Sequence, residues 1–237
     1  VNMTYPLPDF APEPKARIGF LLLDTDHGSD REILSLVPAD VAASLVRVRN
    51  YEGRDLRACK DEIVDAARLV YPDARVDAVG YACTSGSFGE LGRLLGGRGP
   101  VVTTRDAVVA ALAELSVSRI ALLTPYTEQL NSVIEADIGA QGIEVRSSCA
   151  LAIDSNDLIA RLSQRTILDI AGRMLAEDAV QAILIGCNAL RVASSIRYLE
   201  ETYGKPVITS NQALVWRLLQ ISGYSSGNRD GGALLGA

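Results

Sequence analysis

The feature that most constrains this chain is the alternation of short apolar runs with longer segments of helical period. Runs of strand length lie at Ile18–Leu23, Val41–Arg47, Ala78–Ala82, Ile120–Thr124, Ile143–Ser147, Ala182–Gly186 and Val207–Thr209. Between them, apolar residues recur with helical spacing over Asp55–Val70, Asp106–Leu115, Glu128–Ile138, Ser155–Leu175, Val192–Tyr203 and Gln212–Ser222. A strand that is apolar throughout is buried on both faces, and strand–helix alternation predicts a parallel sheet flanked by helices. The fold class expected is therefore α/β, and a hydrophobic content of 48% supplies a sizeable core.

The alternation contains a repeat. Arg17-Ile18-Gly19-Phe20-Leu21-Leu22 is followed by Val76-Asp77-Ala78-Val79-Gly80-Tyr81-Ala82-Cys83; Arg119-Ile120-Ala121-Leu122-Leu123-Thr124 is followed by Val180-Gln181-Ala182-Ile183-Leu184-Ile185-Gly186-Cys187. The interval from Ile18 to Cys83 is 65 residues and that from Ile120 to Cys187 is 67. The repeat predicts two pseudo-symmetric halves, 15–115 and 116–207, with 208–237 packing back on the first. It sets each cysteine just past the end of an equivalent strand, where open α/β sheets bind ligands.

Several function classes fall away. A net charge of -6 argues against a nucleic-acid partner. No apolar run reaches the roughly 18 residues of a membrane span. The proline-rich stretch Val1–Pro14 lacks an export pattern, so a cytoplasmic location with reduced thiols is expected. One histidine, His27, and no CxxC or HxxxH spacing leave no metal set. Neither GxGxxG after a strand nor GxxxxGK[ST] occurs, so no nucleotide cofactor is expected; Gly96-Gly97-Arg98-Gly99-Pro100 reads as a turn.

The chemistry-bearing residues follow strand ends. In Cys83-Thr84-Ser85-Gly86-Ser87 the hydroxyls and a close-approach glycine surround a thiol, and N–H groups of a helix starting there would lower its pKa. Gly186-Cys187-Asn188-Ala189 repeats the arrangement with an amide. Tyr126, in Thr124-Pro125-Tyr126-Thr127, and the turn Asp24-Thr25-Asp26-His27-Gly28 occupy the corresponding loops. Asp26, Ser29 or Asp30 serves equally as a helix cap. His27 is a candidate general base. Cys59, in a charged helical pattern, and Cys149 read as structural. Two thiols facing one carbon allow one to attack or remove a proton while the other delivers one, inverting a stereocentre or isomerising a double bond without a cofactor.

With these motifs in this order, the chain resembles the aspartate/glutamate racemase superfamily from about Arg17 onward. The nearest branch holds the maleate cis-trans isomerases, the arylmalonate decarboxylases and the ectoine-utilisation proteins of the same type. Thr25-Asp26-His27 and Val46-Arg47-Val48-Arg49-Asn50 look most like the last of these. The resemblance implies an active site between two halves, with Cys83 and Cys187 as the catalytic thiols. It implies Thr84, Ser85, Tyr126 and the Asn188 backbone as the groups that hold the substrate carboxylate, and Asn156 as a further binding residue. The decarboxylases have glycine where Cys83 stands. The maleate isomerases have asparagine where Asp26 appears, and a carboxylate there would repel a substrate carboxylate and suit an ammonium or hydroxyl.

The reading is a cofactor-independent isomerase or racemase of a small carboxylate, maleate-like or amino-acid-derived, acting as a homo-oligomer. The alternatives are an arylmalonate-type decarboxylase in which Cys187 donates a proton, and a metabolite-binding protein on the same scaffold.

Overall fold

A computed structural model of the chain describes residues 10–95, 101–225 and 231–236. The glycine-rich turn at 96–100 and most of the proline-rich N-terminal stretch lie outside the described residues. The first half builds a sheet from β1 (Ala16–Leu23), β2 (Val41–Val48), β3 (Ala78–Ala82) and β4 (Val102–Thr103). Its helices are α1 (Ser29–Leu36), α2 (Leu56–Ala67), α3 (Thr84–Phe88), α4 (Glu90–Leu95) and α5 (Thr104–Glu114). The second builds a sheet from β5 (Arg119–Thr124), β6 (Glu144–Ala150), β7 (Ala182–Ile185) and β8 (Val207–Thr209). It carries α6 (Glu128–Gly139), α7 (Asn156–Arg161), α8 (Gln164–Leu175) and α9 (Ile196–Tyr203), and the chain continues into α10 (Ser210–Ile221) and α11 (Gly232–Leu235).

The two sheets have the same strand order, β2-β1-β3-β4 and β6-β5-β7-β8, and every pairing is parallel. In each, the chain leaves the central strand to one side and returns on the other. The loops after β1 and β3, and after β5 and β7, therefore part at a switch point and leave a crevice at the carboxyl ends.

Burial explains why the strands read as continuous apolar runs. Along β1, Ile18, Phe20 and Leu22 join the large core that runs through both halves, while Leu21 and Leu23 join a smaller cluster under α2 and α4. Cys59 belongs to that smaller cluster, and Cys149 is half-buried in β6. After β8 the chain returns: α10 packs on α5, β3 and α1 of the first half, whereas α11 lies against α9 and α10.

Two expected helices come out differently. Ser155–Leu175 divides into α7 and α8, because Leu162 is extended and the Ser163 side chain accepts from the Thr166 N–H, starting a new helix. Val192–Tyr203 opens as a 3-10 turn at Ala193–Ser195 before α9. The sequence reading set no bounds for α1 and α3, whose starts it noted, and left out α4, α11 and the two-residue β4, all short elements with little periodicity. Among the described residues, no helix is long and apolar enough to cross a membrane.

Candidate active site

The crevice brings together all but one of the residues singled out for substrate or catalysis: Asp26, Cys83, Thr84, Ser85, Tyr126, Asn156, Cys187 and Asn188 border a single cleft. Leu23, Thr25, Ala82 and Ala189 complete the wall. Larger hollows lie beside Trp216 and Tyr224 and between α8 and α9, but neither holds a thiol. Among the described residues, no group of three or more His, Cys, Asp or Glu side chains is placed to hold a metal ion.

Cys83 is the first residue past β3 and the N-cap of α3. Its Sγ accepts the Gly86 N–H at 3.4 Å and lies 3.6 Å from Ser85 Oγ, and the Ser87 hydroxyl donates to its carbonyl. The expectation of a lowered pKa is overturned. Burial pushes the Cys83 thiol up, the Asp26 carboxylate adds to this, and the donors from Ser85, Gly86 and Tyr81 offset it only in part.

Cys187 stands at the equivalent place after β7. Burial pushes its pKa up to about 12, against hydrogen bonds from the Tyr126 hydroxyl and the Ala189 N–H. The charges of Asp26 and Cys83 raise it further. Tyr126 follows β5 in the turn set by Thr124 and Pro125 and interacts with both thiols and with Thr84. Its own pKa is driven well up by burial, so the phenol remains a donor. The two thiols are free, and burial raises the pKa of both.

A buried polar cluster locks the two thiol loops together. Thr84 Oγ1 lies 2.8 Å from both Asn188 Oδ1 and Ser210 Oγ. The Thr104 hydroxyl sits 3.4 Å from the same amide oxygen and 2.9 Å from the Tyr81 carbonyl. Asn188 Nδ2 donates to Asn211 Oδ1 at 2.8 Å, while Asn211 Nδ2 donates to the Asn188 carbonyl at 2.7 Å. The Asn188 amide is thus engaged at both ends and turned away from ligand work. Thr104, Ser210 and Asn211 were missed as site residues. The signal for the last two was a buried polar start, Ser210-Asn211-Gln212, on an otherwise apolar helix.

The loop after β1 is shaped by Asp26. One carboxylate oxygen accepts the Gly28 and Ser29 N–H groups at 2.8 and 2.9 Å, and the other accepts the Ser29 hydroxyl. Gly28 lies directly on the second half: a Cβ there would stand 2.3 Å from the Ala189 carbonyl oxygen. Asn156, the first residue of α7, donates from Nδ2 to Thr25 Oγ1 at 3.0 Å and bridges the cleft wall between halves. A second bridge comes from Glu32, whose carboxylate accepts the Val192 and Ala193 N–H groups at 2.8 and 2.7 Å. His27 is exposed and does not border the cleft.

A sequence profile described as arylmalonate decarboxylase matches residues 94–235. The maleate isomerase of Geobacillus stearothermophilus is 25% identical over 92% of this chain and 96% of its own length. The arylmalonate decarboxylase of Bordetella bronchiseptica is 28% identical over 56% of this chain and 55% of its own. Among solved structures, a maleate isomerase Iso variant from Pseudomonas putida S16 with maleate superposes with a TM-score of 0.80 at 25% identity, covering 94% of this chain and 98% of that one. These relatives fall in the branch that the sequence resembles.

Proposed function

The chain belongs to the arylmalonate decarboxylase family, and from that premise we propose that it is a cofactor-independent isomerase or racemase of a small carboxylate, working with Cys83 and Cys187. The observation that carries this reading is that two free thiols, past strands in equivalent positions of the two sheets, border one cleft. Burial raises both, and Cys83 has donors from Ser85, Gly86 and Tyr81 to receive a thiolate while Tyr126 and the Ala189 N–H serve Cys187. Such a pair divides the labour of nucleophile or base from that of acid.

In the isomerase version, Cys83 gives up its proton to water and the thiolate adds to the alkene carbon β to a substrate carboxylate. The π electrons move onto the carboxylate as an enediolate, and Cys187 gives its proton to the neighbouring carbon. Rotation about the new single bond follows. Cys187 then takes a proton back, the S–C bond breaks and the alkene re-forms with the opposite geometry. In the racemase version, one thiolate removes the α-proton and the other thiol returns one from the far face. In either, Ser85, Tyr126 and the backbone N–H of Asn188 stabilise the charge on the carboxylate, with Thr84 placing the loops. Removing one such donor typically lowers turnover by about 100- to 1000-fold.

Asp26 bears on substrate choice. Its carboxylate borders the cleft and its field raises both thiols. A second carboxylate close to it is repelled, which favours a substrate bearing an ammonium or hydroxyl over maleate itself. Separate Cys83→Ser and Cys187→Ser variants test the proposal: each abolishes isomerisation, and full turnover by either overturns it. Incorporation of solvent deuterium at the α-carbon, screened over maleate, aspartate, diaminobutyrate derivatives and aryl malonates, identifies the substrate.

A second reading is a decarboxylase in which Cys187, firmly protonated, quenches the enediolate left by loss of carbon dioxide. The match to the arylmalonate decarboxylase profile and the protonation of Cys187 favour it. It predicts carbon dioxide release from a malonate-type substrate, with activity retained in Cys83→Ser.

A further inference from the structure

Gly86 lies where three side chains converge. A Cβ on it would stand 2.9 Å from Tyr81 Oη, 2.9 Å from Tyr51 Cε1 and 3.2 Å from Cys83 Sγ. Glycine lets both tyrosines and the thiol close on one point. The Tyr51 hydroxyl is engaged with Ser85. Tyr81 is different. It is fully buried, and its hydroxyl is the one buried side-chain oxygen or nitrogen among the described residues that finds no hydrogen-bond partner of ordinary geometry. Buried phenols normally have one, so this oxygen calls for an explanation.

Its surroundings supply the explanation. Tyr81 points to the side of β3 packed by α2 and α4 and does not border the cleft, so it approaches Cys83 from behind and cannot touch a substrate. A neutral thiol is a weak acceptor, but a thiolate is a charged and strong one. We propose that Tyr81 is a positioning residue for Cys83, whose phenol O–H swings into line with the sulfur when the thiol ionises, so that a donor close to the thiol but poorly aligned in the resting site makes a full hydrogen bond in the reactive one. The Sγ–H proton leaves to water through the cleft, and Tyr81 keeps its own proton and donates a hydrogen bond. Burial drives the phenol well above its ordinary pKa, which preserves it as a donor.

This inference rests on the reading of Cys83 as the reacting thiol, but it concerns the proton on that sulfur and can be tested without a substrate. The experiment measures the rate of Cys83 alkylation by iodoacetamide against pH in the full chain, with peptide mass spectrometry separating the four cysteines, in wild type and Tyr81→Phe. The expected result is a midpoint for Cys83 raised by about one pH unit and alkylation about tenfold slower below it, with the Cys187 profile and the Tm unmoved. An unmoved Cys83 midpoint overturns the proposal. So does a fall in Tm without a shift in midpoint, which marks a structural hydroxyl. Gly86→Ala, which wedges a methyl between phenol and sulfur, gives a second arm should Tyr81→Phe fail to fold: it too raises the midpoint, and no change overturns the idea. Loss of the two-thiol reading itself shows elsewhere, as full turnover by Cys83→Ser.

Discussion

The hydroxyl oxygen of Thr84 lies 2.8 Å from the amide oxygen of Asn188, and this contact ties the loop bearing Cys83 to the loop bearing Cys187. The residues are 104 apart in sequence, both are buried, and each follows a catalytic candidate directly. The spacing of the thiols is therefore set by a hydrogen bond between their neighbours. Thr84→Val keeps the shape and removes the donor, leaving the Asn188 oxygen with only the longer Thr104 contact. Such a loss costs about 1–3 kcal/mol of stability. Urea unfolding will show that cost, and turnover will fall further than the stability loss explains. A variant as stable and active as wild type would show that the contact is dispensable.

Gly28 makes a sharper case. The atom that a Cβ would meet at 2.3 Å is a backbone oxygen, which cannot swing aside as a side chain can. Gly28→Ala therefore pushes the loop after β1 away from the loop after β7 and widens the cleft at Asp26. Overpacking of this kind destabilises by about 1–3 kcal/mol. The expected outcome is a folded protein by circular dichroism with kcat/KM reduced at least tenfold, about 1.4 kcal/mol in the barrier; unchanged kcat/KM would refute the tight fit.

The protonated Cys187 makes stability pH-dependent. Its folded pKa of about 12 lies above its unfolded value near 9. The folded state thus binds the proton more tightly than the unfolded chain. The contribution is fully present below about pH 9 and is lost as pH rises towards 12. Cys187→Ser cannot titrate there. In that window, stability of the wild type will fall more steeply with pH than that of the variant, by up to about 1.4 kcal/mol per pH unit. Equal slopes in urea titrations at stepped pH would contradict the assignment.

Glu32 clamps the halves through two backbone N–H groups, and burial raises its pKa despite those bonds. Glu32→Gln retains an amide oxygen as acceptor and sheds the charge, so stability at neutral pH should change little. Glu32→Ala strands both donors and should lower stability by about 1–3 kcal/mol. Thermal unfolding of the two variants side by side separates an acceptor role from a purely electrostatic one: equal losses in both would favour the latter.

The sequence carried the strand ends well. β3 and β7 are short, fully buried and apolar, so their pattern stops where the small polar residues of the loops begin, at Cys83 and at Gly186-Cys187. What lay in each loop could thus be read directly. What joins the loops could not. The Thr84–Asn188 contact and the Asn188–Asn211 exchange connect residues distant in sequence, and single residue types do not announce a partner. Asp26 shows a related limit. An aspartate after a strand reads equally as a turn former or as a ligand for substrate, and only the positions of the Gly28 and Ser29 amides reveal how much of it the loop uses. The direction of the Cys83 shift was misjudged because local donors are visible in sequence while desolvation is a property of the assembled halves.

The return of the chain after β8 has a mechanical consequence. Because α10 leaves the second sheet and packs on α5 and β3, the last long helix is a strut fastened to both halves. With Glu32 and Gly28 fastening α1 and its cap to the loop after β7, the halves are joined at several places rather than along one hinge. On the proposed two-thiol reading, such a stiff vessel would hold Cys83 and Cys187 at one separation. The Thr25–Asn156 contact adds only a single side-chain hydrogen bond, at 3.0 Å, to that frame.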